Sequence, residues 1–281
     1  MSDHMLLVDG MNLHFQMFFG MPARILNSQG KAIQGVMGFV GAIRKIIEMT
    51  KPTHVLAIFD GEHHNPRTDI DSEYKANRPD LSDVPDEENP FLQLPDVYAA
   101  LDAIKIAHCE TSVCEADDLI ASYAKRFEAA SRITISSFDS DFFQLIGPNT
   151  SILRYRGERS IVCNQDYLRE KFNIEGSQYV DFKSLTGDTA DNIRGVDGVG
   201  PKTASKLISQ FGDLNNLMEN YQSIESQRLR ERIEGTLERL ELNRTLIQMD
   251  CNQELPYQME DLEFTSRIPK ARVVLSEIGL L

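Results

Sequence analysis

Cysteine is scarce and unpatterned. Cys109, Cys114, Cys163 and Cys251 are the only four in 281 residues, and none sits in a CxxC or other zinc-type spacing. That argues against a thiolate metal site or a disulfide framework and for free thiols in a reducing compartment. Long apolar runs are missing too. None approaches the roughly 18 residues that a membrane helix needs, so no membrane partner is expected. The N-terminus, MSDHMLLVDG, lacks a basic region followed by a long apolar stretch, so it reads as a first buried strand of a cytoplasmic protein and not as a secretory leader. Basic residues are outnumbered, with 29 Lys and Arg against 43 Asp and Glu and a net charge of −14. Such a balance argues against a broad electrostatic grip on nucleic acid. Any DNA contact has to be local.

What is present is enough apolar content, 41% of residues, to fill one large core or two modest ones. Residues 4–8, 53–59 and 132–138 (HMLLV, THVLAIF and RITISSF) read as short buried strands, each followed by Asp. Between them run helical patterns over 34–50, 94–106 and 115–130. Alternating strands and helices predict a mainly parallel α/β sheet, whose sites form outside the carboxyl ends of the strands. Residues 61–95 are polar and charged, as in a functional or mobile segment. Residues 150–163 predict a hairpin turning at Arg156-Gly157-Glu158. Beyond about 164 the chain reads as helical, with a long charged helix near 225–248. We expect an α/β core over 1–175 and a helical subdomain over 176–281.

Acidic residues recur where strands end and helices begin: Asp9, Asp60, Glu115, Asp117, Asp118, Asp139, Asp141, Asp188 and Asp191. Taken singly, each has an ordinary reading. EADD caps a helix, GDTADN supplies N-cap residues, and Asp9 and Asp60 start turns before glycine. Taken together, nine carboxylates drawn to one sheet edge repel one another and require a counter-charge. Hard divalent cations, Mg²⁺ or Mn²⁺, meet that need and commonly serve phosphate chemistry. Glu115 and Asp118 share a helix face with Asp117 beside them. Asp139 and Asp141, if that stretch stays extended, point the same way.

Two further motifs suggest DNA contacts. In GVDGVGPKTA, the glycines at 195, 198 and 200 permit tight turns, and Pro201 opens a helix. Gly198, Gly200, Lys202 and Thr203 would offer amides and a charge to a phosphate; a plain helix-packing corner is the alternative. In YKANR, Lys75 and Arg78 could meet a phosphate and Tyr74 could stack on a base; the alternative is a solvated charged face.

The stretches VDGMN, FDG…YKANR, EADD, FDSDFFQL and LTGDTADNIRGVDGVGPKTA, in this order over about residues 5–250, resemble the bacterial 5′-nuclease or flap-endonuclease family. With no polymerase-length extension, the chain resembles the stand-alone members. The resemblance implies a resolvase-like (PIN-like) core, a helical arch and a helix-turn-helix-type element gripping duplex DNA. It implies hydrolysis near the junction of 5′ flaps, with 5′→3′ exonuclease action, on flapped, nicked or gapped duplexes in replication or repair. All nine acids match the family's metal ligands, and Lys75 and Arg78 match its catalytic basic pair. Tyr74 and Arg67 match residues near the DNA. The backbone carbonyls of Val196 and Val199 match a K⁺ site. Departures are Ser140 in place of the usual Lys, Pro66 before Arg67, and acids at 80, 83, 86, 87 and 88 in the arch segment.

The expected chemistry is two-metal phosphodiester hydrolysis by a monomer. A structure-selective DNA binder without catalysis, or a ribonuclease on the same core, are the competing expectations. The first would need missing ligands, and the second would not need GVDGVGPK.

Overall fold

The computed structural model describes residues 3–78 and 84–281. Asp80 and Asp83, two of the arch-segment acids, lie outside the described residues. The chain opens with strand β1 (His4–Asp9), whose alternation serves two cores: Met5 and Leu7 enter one apolar cluster, and Leu6 and Val8 enter another on the opposite face. Asp9 ends the strand and caps α1 (Gly10–Gly20), its Oδ1 accepting from the Asn12 amide at 3.0 Å. Helix α2 (Gln34–Thr50) follows. Its Val36, Phe39, Val40, Ile43 and Ile46 recur at helical spacing and are fully buried against the sheet.

Next come β2 (His54–Phe59) and a five-residue helix, α3 (Pro66–Ile70). The described remainder of the polar segment holds turns and two 3₁₀ turns at Asp86–Glu88 and Pro90–Gln93. Part of its acidity is neutralised locally, because Arg24 pairs with Glu87 and Glu88. Helix α4 (Leu94–Ala103) leads to β3 (Ala107–Glu110), a half-buried edge strand too short and too polar to read from sequence. Then follow α5 (Ala116–Phe127), β4 (Arg132–Ser136), β5 (Thr150–Arg154) and β6 (Ile161–Cys163).

The six strands form one sheet in the order β3-β2-β1-β4-β5-β6, parallel throughout except for the antiparallel hairpin β5–β6. Helix α5 packs on the face of Met5, Leu7, Leu56 and Ile58, while α2 and α4 pack on the other. The expected hairpin is present, and Gly157 takes the positive φ of its turn (58°).

The rest is helical: α6 (Gln165–Phe172), α7 (Tyr179–Thr186), then a tight two-stranded ribbon of β7 (Gly187–Asp188) and β8 (Ile193–Arg194), then α8 (Pro201–Phe211) and α9 (Leu214–Asn220). The charged helix expected over 225–248 is two helices, α10 (Gln227–Glu234) and α11 (Leu237–Ile247). Gly235, the weakest helix former available, falls at the break. Fully buried Asn243 on α11 donates to the carbonyls of Ser184 and Arg194, at 3.0 and 2.9 Å, fixing α11 against α7 and the ribbon.

The end of the chain returns to the first half. The Phe264 amide donates to the Thr53 carbonyl at 2.7 Å. Phe264 and Ile268 join α12 (Ala271–Glu277) in the α2–α4 cluster.

Candidate metal centre

Strands β2, β1 and β4 are parallel neighbours, so their carboxyl ends share one sheet edge. Asp9 pairs with Ile58 across the ladder, and Val8 with Ser136. Asp60 and Asp139 therefore emerge beside Asp9 just beyond their strands. Each is held by a specific hydrogen bond. Asp9 Oδ2 accepts from Ser137 Oγ at 2.7 Å. Asp60 Oδ1 accepts from the Ala116 amide at 2.8 Å, joining the exit of β2 to the start of α5. Asp139 Oδ1 accepts from the Asp141 amide at 2.8 Å. That bond turns the chain into a 3₁₀ helix, Asp141–Leu145, with Ser140 in a helical conformation, so Asp139-Ser140-Asp141 is not extended as expected. Asp117 completes the group from the first turn of α5.

Asp9, Asp60, Asp117 and Asp139 line one cavity of about 540 Å³, with Asn12, Phe138, Lys75 and Arg78 also in its walls. Among the described residues none of the four acids has a cation within salt-bridge distance. Burial, then repulsion from Asp60 and Asp139, pushes Asp9 up to about 7 against the pull of its hydrogen bonds. Burial and the charges of Asp139, Asp9 and Asp60 raise Asp117 well above its ordinary range. Asp139 is raised by burial and by Asp191 and Asp188.

The other five acids face cations. Arg67, only 12% exposed, donates through both terminal nitrogens to Asp118 at 2.8 Å and through one to Glu115 at 2.6 Å. It also donates to the carbonyls of Leu246 and Gln248. Asp118 accepts the Asp250 amide as well, at 2.9 Å. Lys75 pairs with Glu115. Against the cost of burial, Lys75 and then Arg67 hold Glu115 below its usual range. Arg78 donates to Asp191 at 3.0 Å. Lys183, buried on α7, bridges Asp188 and Asp141, the latter at 3.3 Å. Burial and Asp139 nevertheless push Asp141 up to about 7 against the pull of Lys183. Among the described residues no three carboxylate, imidazole or thiol groups stand as an assembled ion cage. The nine expected ligands thus divide into four without counter-charge at the sheet edge and five drawn to Arg67, Lys75, Arg78 and Lys183.

The four uncompensated carboxylates fit a hard divalent cation. They are all oxygen donors, three are raised by desolvation and repulsion, and a cation among them would relieve both. Lys75 and Arg78 reach the same cavity because residues 73–78 dock on the β7–β8 ribbon. Asn77 donates to the Thr189 carbonyl, Asn192 to that of Glu73, and the Lys75 amide to that of Asp191.

Two expected DNA contacts are placed otherwise. Tyr74 is buried, with its hydroxyl donating to Glu115 and Asp191 at 3.3 and 3.4 Å, so its ring is not offered to a base. Arg67 is an internal clamp joining α3, α5 and the end of α11. In the second motif, Lys202 is exposed in the first turn of α8, beside half-buried Thr203 and after Gly200. Gly198 has φ +74°, and a Cβ there would lie 2.1 Å from Arg232 Nη1. Val196 and Val199 are buried, and the Val196 carbonyl accepts the Val199 amide at 2.9 Å. Sequence reasoning missed Lys183, although a lone lysine on the otherwise apolar face of α7 was a signal.

This fold matches known proteins. Residues 4–173 match the model of the 5′-3′ exonuclease N-terminal resolvase-like domain, and residues 174–270 that of the 5′-3′ exonuclease C-terminal SAM fold. The chain belongs to the 5′-3′ exonuclease family. It is 32% identical over 269 residues to DNA polymerase I of Rhizobium leguminosarum, covering 93% of this chain and 26% of that one. It is 32% identical over 263 residues to DNA polymerase I of Bacillus subtilis, covering 92% of this chain and 29% of that one. It thus spans between a quarter and a third of the length of these relatives. Among solved structures, the bacteriophage T5 D15 protein co-crystallised with metal ions has a TM-score of 0.73 at 22% identity, covering 88% of this chain and 89% of that one. The catalytic core of Rad2 in complex with DNA substrate has a TM-score of 0.61 at 15% identity, covering 98% of this chain and 86% of that one.

Proposed function

We propose that this chain is a structure-specific 5′-nuclease, a flap endonuclease with 5′→3′ exonuclease action, that hydrolyses DNA phosphodiesters by a two-metal mechanism. One observation carries the reading: four uncompensated carboxylates at the sheet edge share a cavity with Lys75 and Arg78. Asp9, Asp60, Asp117 and Asp139 would hold Mg²⁺ or Mn²⁺. Asp141, Asp188 and Asp191, with Glu115 and Asp118, would hold or orient a further ion after giving up their present cations. The bound ions would activate the attacking water and offset charge on the leaving oxygen. Lys75 and Arg78, released from Glu115 and Asp191 as cations neutralise those acids, would bind the non-bridging oxygens as charge builds in the transition state.

Support for DNA as substrate comes from the family and from the DNA-bound Rad2 neighbour. The GVDGVG turn and the start of α8, with Lys202, would hold a backbone phosphate through amides and charge. K⁺ would bind at the carbonyls of Val196 and Val199. Among the described residues no helix is long and apolar enough to cross a membrane. A cytoplasmic monomer is the setting this reading takes.

Cleavage of a 5′-labelled flap duplex in Mg²⁺ or Mn²⁺, against a chelator control, tests the reading. Metal-dependent release of the flap near its junction is expected. Binding without any product, with the fold intact, would refute it.

A further inference from the structure

The cavity beside the four acids has two walls of different chemistry. Lys75 and Arg78 stand on the α5 side, tied to Glu115 and Asp191. The opposite wall belongs to α1 and the β5–β6 hairpin. Phe15 and Phe19 line it without charge, and Arg156 is the cation on that side among the described residues.

Arg156 sits between β5 and β6, at the turn of the hairpin. It is exposed, yet it has no carboxylate partner among the described residues, in a protein where acids outnumber bases 43 to 29. Its position is nevertheless built. The guanidinium carbon lies 4.9 Å from the ring centroid of Phe138, the residue before Asp139. Its amide donates to Ser160 Oγ at 2.9 Å, and that hydroxyl closes the turn onto the Gly157 carbonyl at 2.6 Å. Gln16 on α1 holds the neighbouring Tyr155 carbonyl at 2.7 Å. A stacked guanidinium keeps its edge donors free and pre-aimed, the arrangement that suits a phosphate oxygen pair.

We propose that Arg156 is a substrate-positioning residue that binds the phosphate next to the scissile one, on the α1 side of the cleft. The scissile phosphate has to face the acids together with Lys75 and Arg78, so a cation on the opposite wall meets its neighbour along the strand. This rests on the nuclease reading and adds a second anchor to it. With a phosphate held on each wall, the strand is stretched across the acids, and misplacement of the scissile group is restricted.

The test compares wild type, Arg156→Gln and Arg156→Lys, with Arg159→Gln as a control on the same hairpin outside the cavity. Binding of a fluorescent flap duplex is read by anisotropy in Ca²⁺, an oxygen-preferring divalent ion, as a function of salt. Cleavage in Mg²⁺ is followed in parallel under single turnover. One lost phosphate contact at about 0.1 M salt costs about five- to eightfold in affinity and lowers the salt slope by about one. R156Q is expected to show that loss together with a lower maximal cleavage rate, because the scissile group is held less well over the acids; R156K should recover part of both, and R159Q should match wild type. A methylphosphonate at the adjacent phosphate should reproduce the loss in wild type and add nothing to R156Q. Wild-type affinity and slope in R156Q, or losses from the two changes that multiply, would overturn the assignment. Failure of the wild type to cleave would instead refute the nuclease reading, while the binding data still judge Arg156.

Discussion

Asp118 and Asp139 were both expected to be metal ligands, and the structure gives them opposite surroundings. Replacing each by Asn separates the two. The Asp118 carboxylate is about 8% exposed and accepts both terminal nitrogens of Arg67 at 2.8 Å, plus the Asp250 amide at 2.9 Å. Asp118→Asn removes the charge and sets an amide NH₂ against a guanidinium. Breaking a buried pair from one side costs roughly 3–5 kcal/mol. Arg67 keeps Glu115, so we expect less than the full cost, about 2–3 kcal/mol. At roughly 2 °C per kcal/mol for a chain of this size, Tm falls by about 4–6 °C. Asp139→Asn keeps the oxygen that accepts the Asp141 amide and removes a charge that burial and the nearby Asp191 and Asp188 disfavour. Its Tm in chelator should equal or exceed that of wild type, while cleavage falls by more than about a hundredfold. Circular dichroism melts in EDTA, beside the flap assay, read both. If D118N melts with wild type, or D139N loses as much stability as D118N, the division of the acids into paired and unpaired groups is wrong.

Lys183→Met should leave Asp141 and Asp188 without their present cation. Stability in chelator should then fall and Mn²⁺ affinity rise, and calorimetric titration showing unchanged affinity would refute Lys183 as a stand-in charge. Saturating Mg²⁺ should raise the melting temperature of wild type, by an amount equivalent to about 2.7 kcal/mol at a hundred times Kd, and D139N should lose most of that gain. His4 is buried between Thr134 and Arg132, and burial, then Arg132, lowers it from 6.5 to about 4. A base with its folded value lowered contributes stability that is complete above pH 6.5 and lost as pH falls toward 4, up to about 3 kcal/mol. His4→Gln should flatten that part of a pH-stability profile, and an unchanged profile would show the histidine to be uninvolved. Gly198→Ala meets Arg232 and an unfavourable φ; it should lower stability by more than about 1 kcal/mol and weaken DNA binding together. Unaltered melting and affinity would remove the turn from the DNA-binding reading.

The ends of β1, β2 and β4 were legible because apolar runs stopped at Asp9, Asp60 and near Asp139, and parallel strands bring such ends together. The partition of the acids was not, because it depends on cations remote in sequence. Arg67 lies 51 residues from Asp118, and nothing local says that Pro66, at the first turn of α3, aims it inward. Tyr74 was misread for the same reason: an aromatic beside two cations looks like a stacking residue until the ribbon of β7 and β8 covers it. Ser140 appeared as a mere departure from the family pattern. The turn it makes carries Asp141 to Lys183, a contact no spacing rule contains. The division of α10 from α11 was marked by Gly235, which the charge pattern around it outweighed.

The bond between Phe264 and Thr53 has a mechanical meaning. The helices from α6 to α11 leave the sheet after β6 and are brought back to it at β2, so this half of the molecule is fixed at both of its ends, like a handle riveted at two points. Arg67 adds a third rivet through the Leu246 and Gln248 carbonyls. Swinging the α8 turn away from the acids would require these fastenings to part together. The distance from that turn to the sheet edge is therefore a ruler built into the chain, and on the proposed function it would set the duplex length between grip and cut before any DNA arrives.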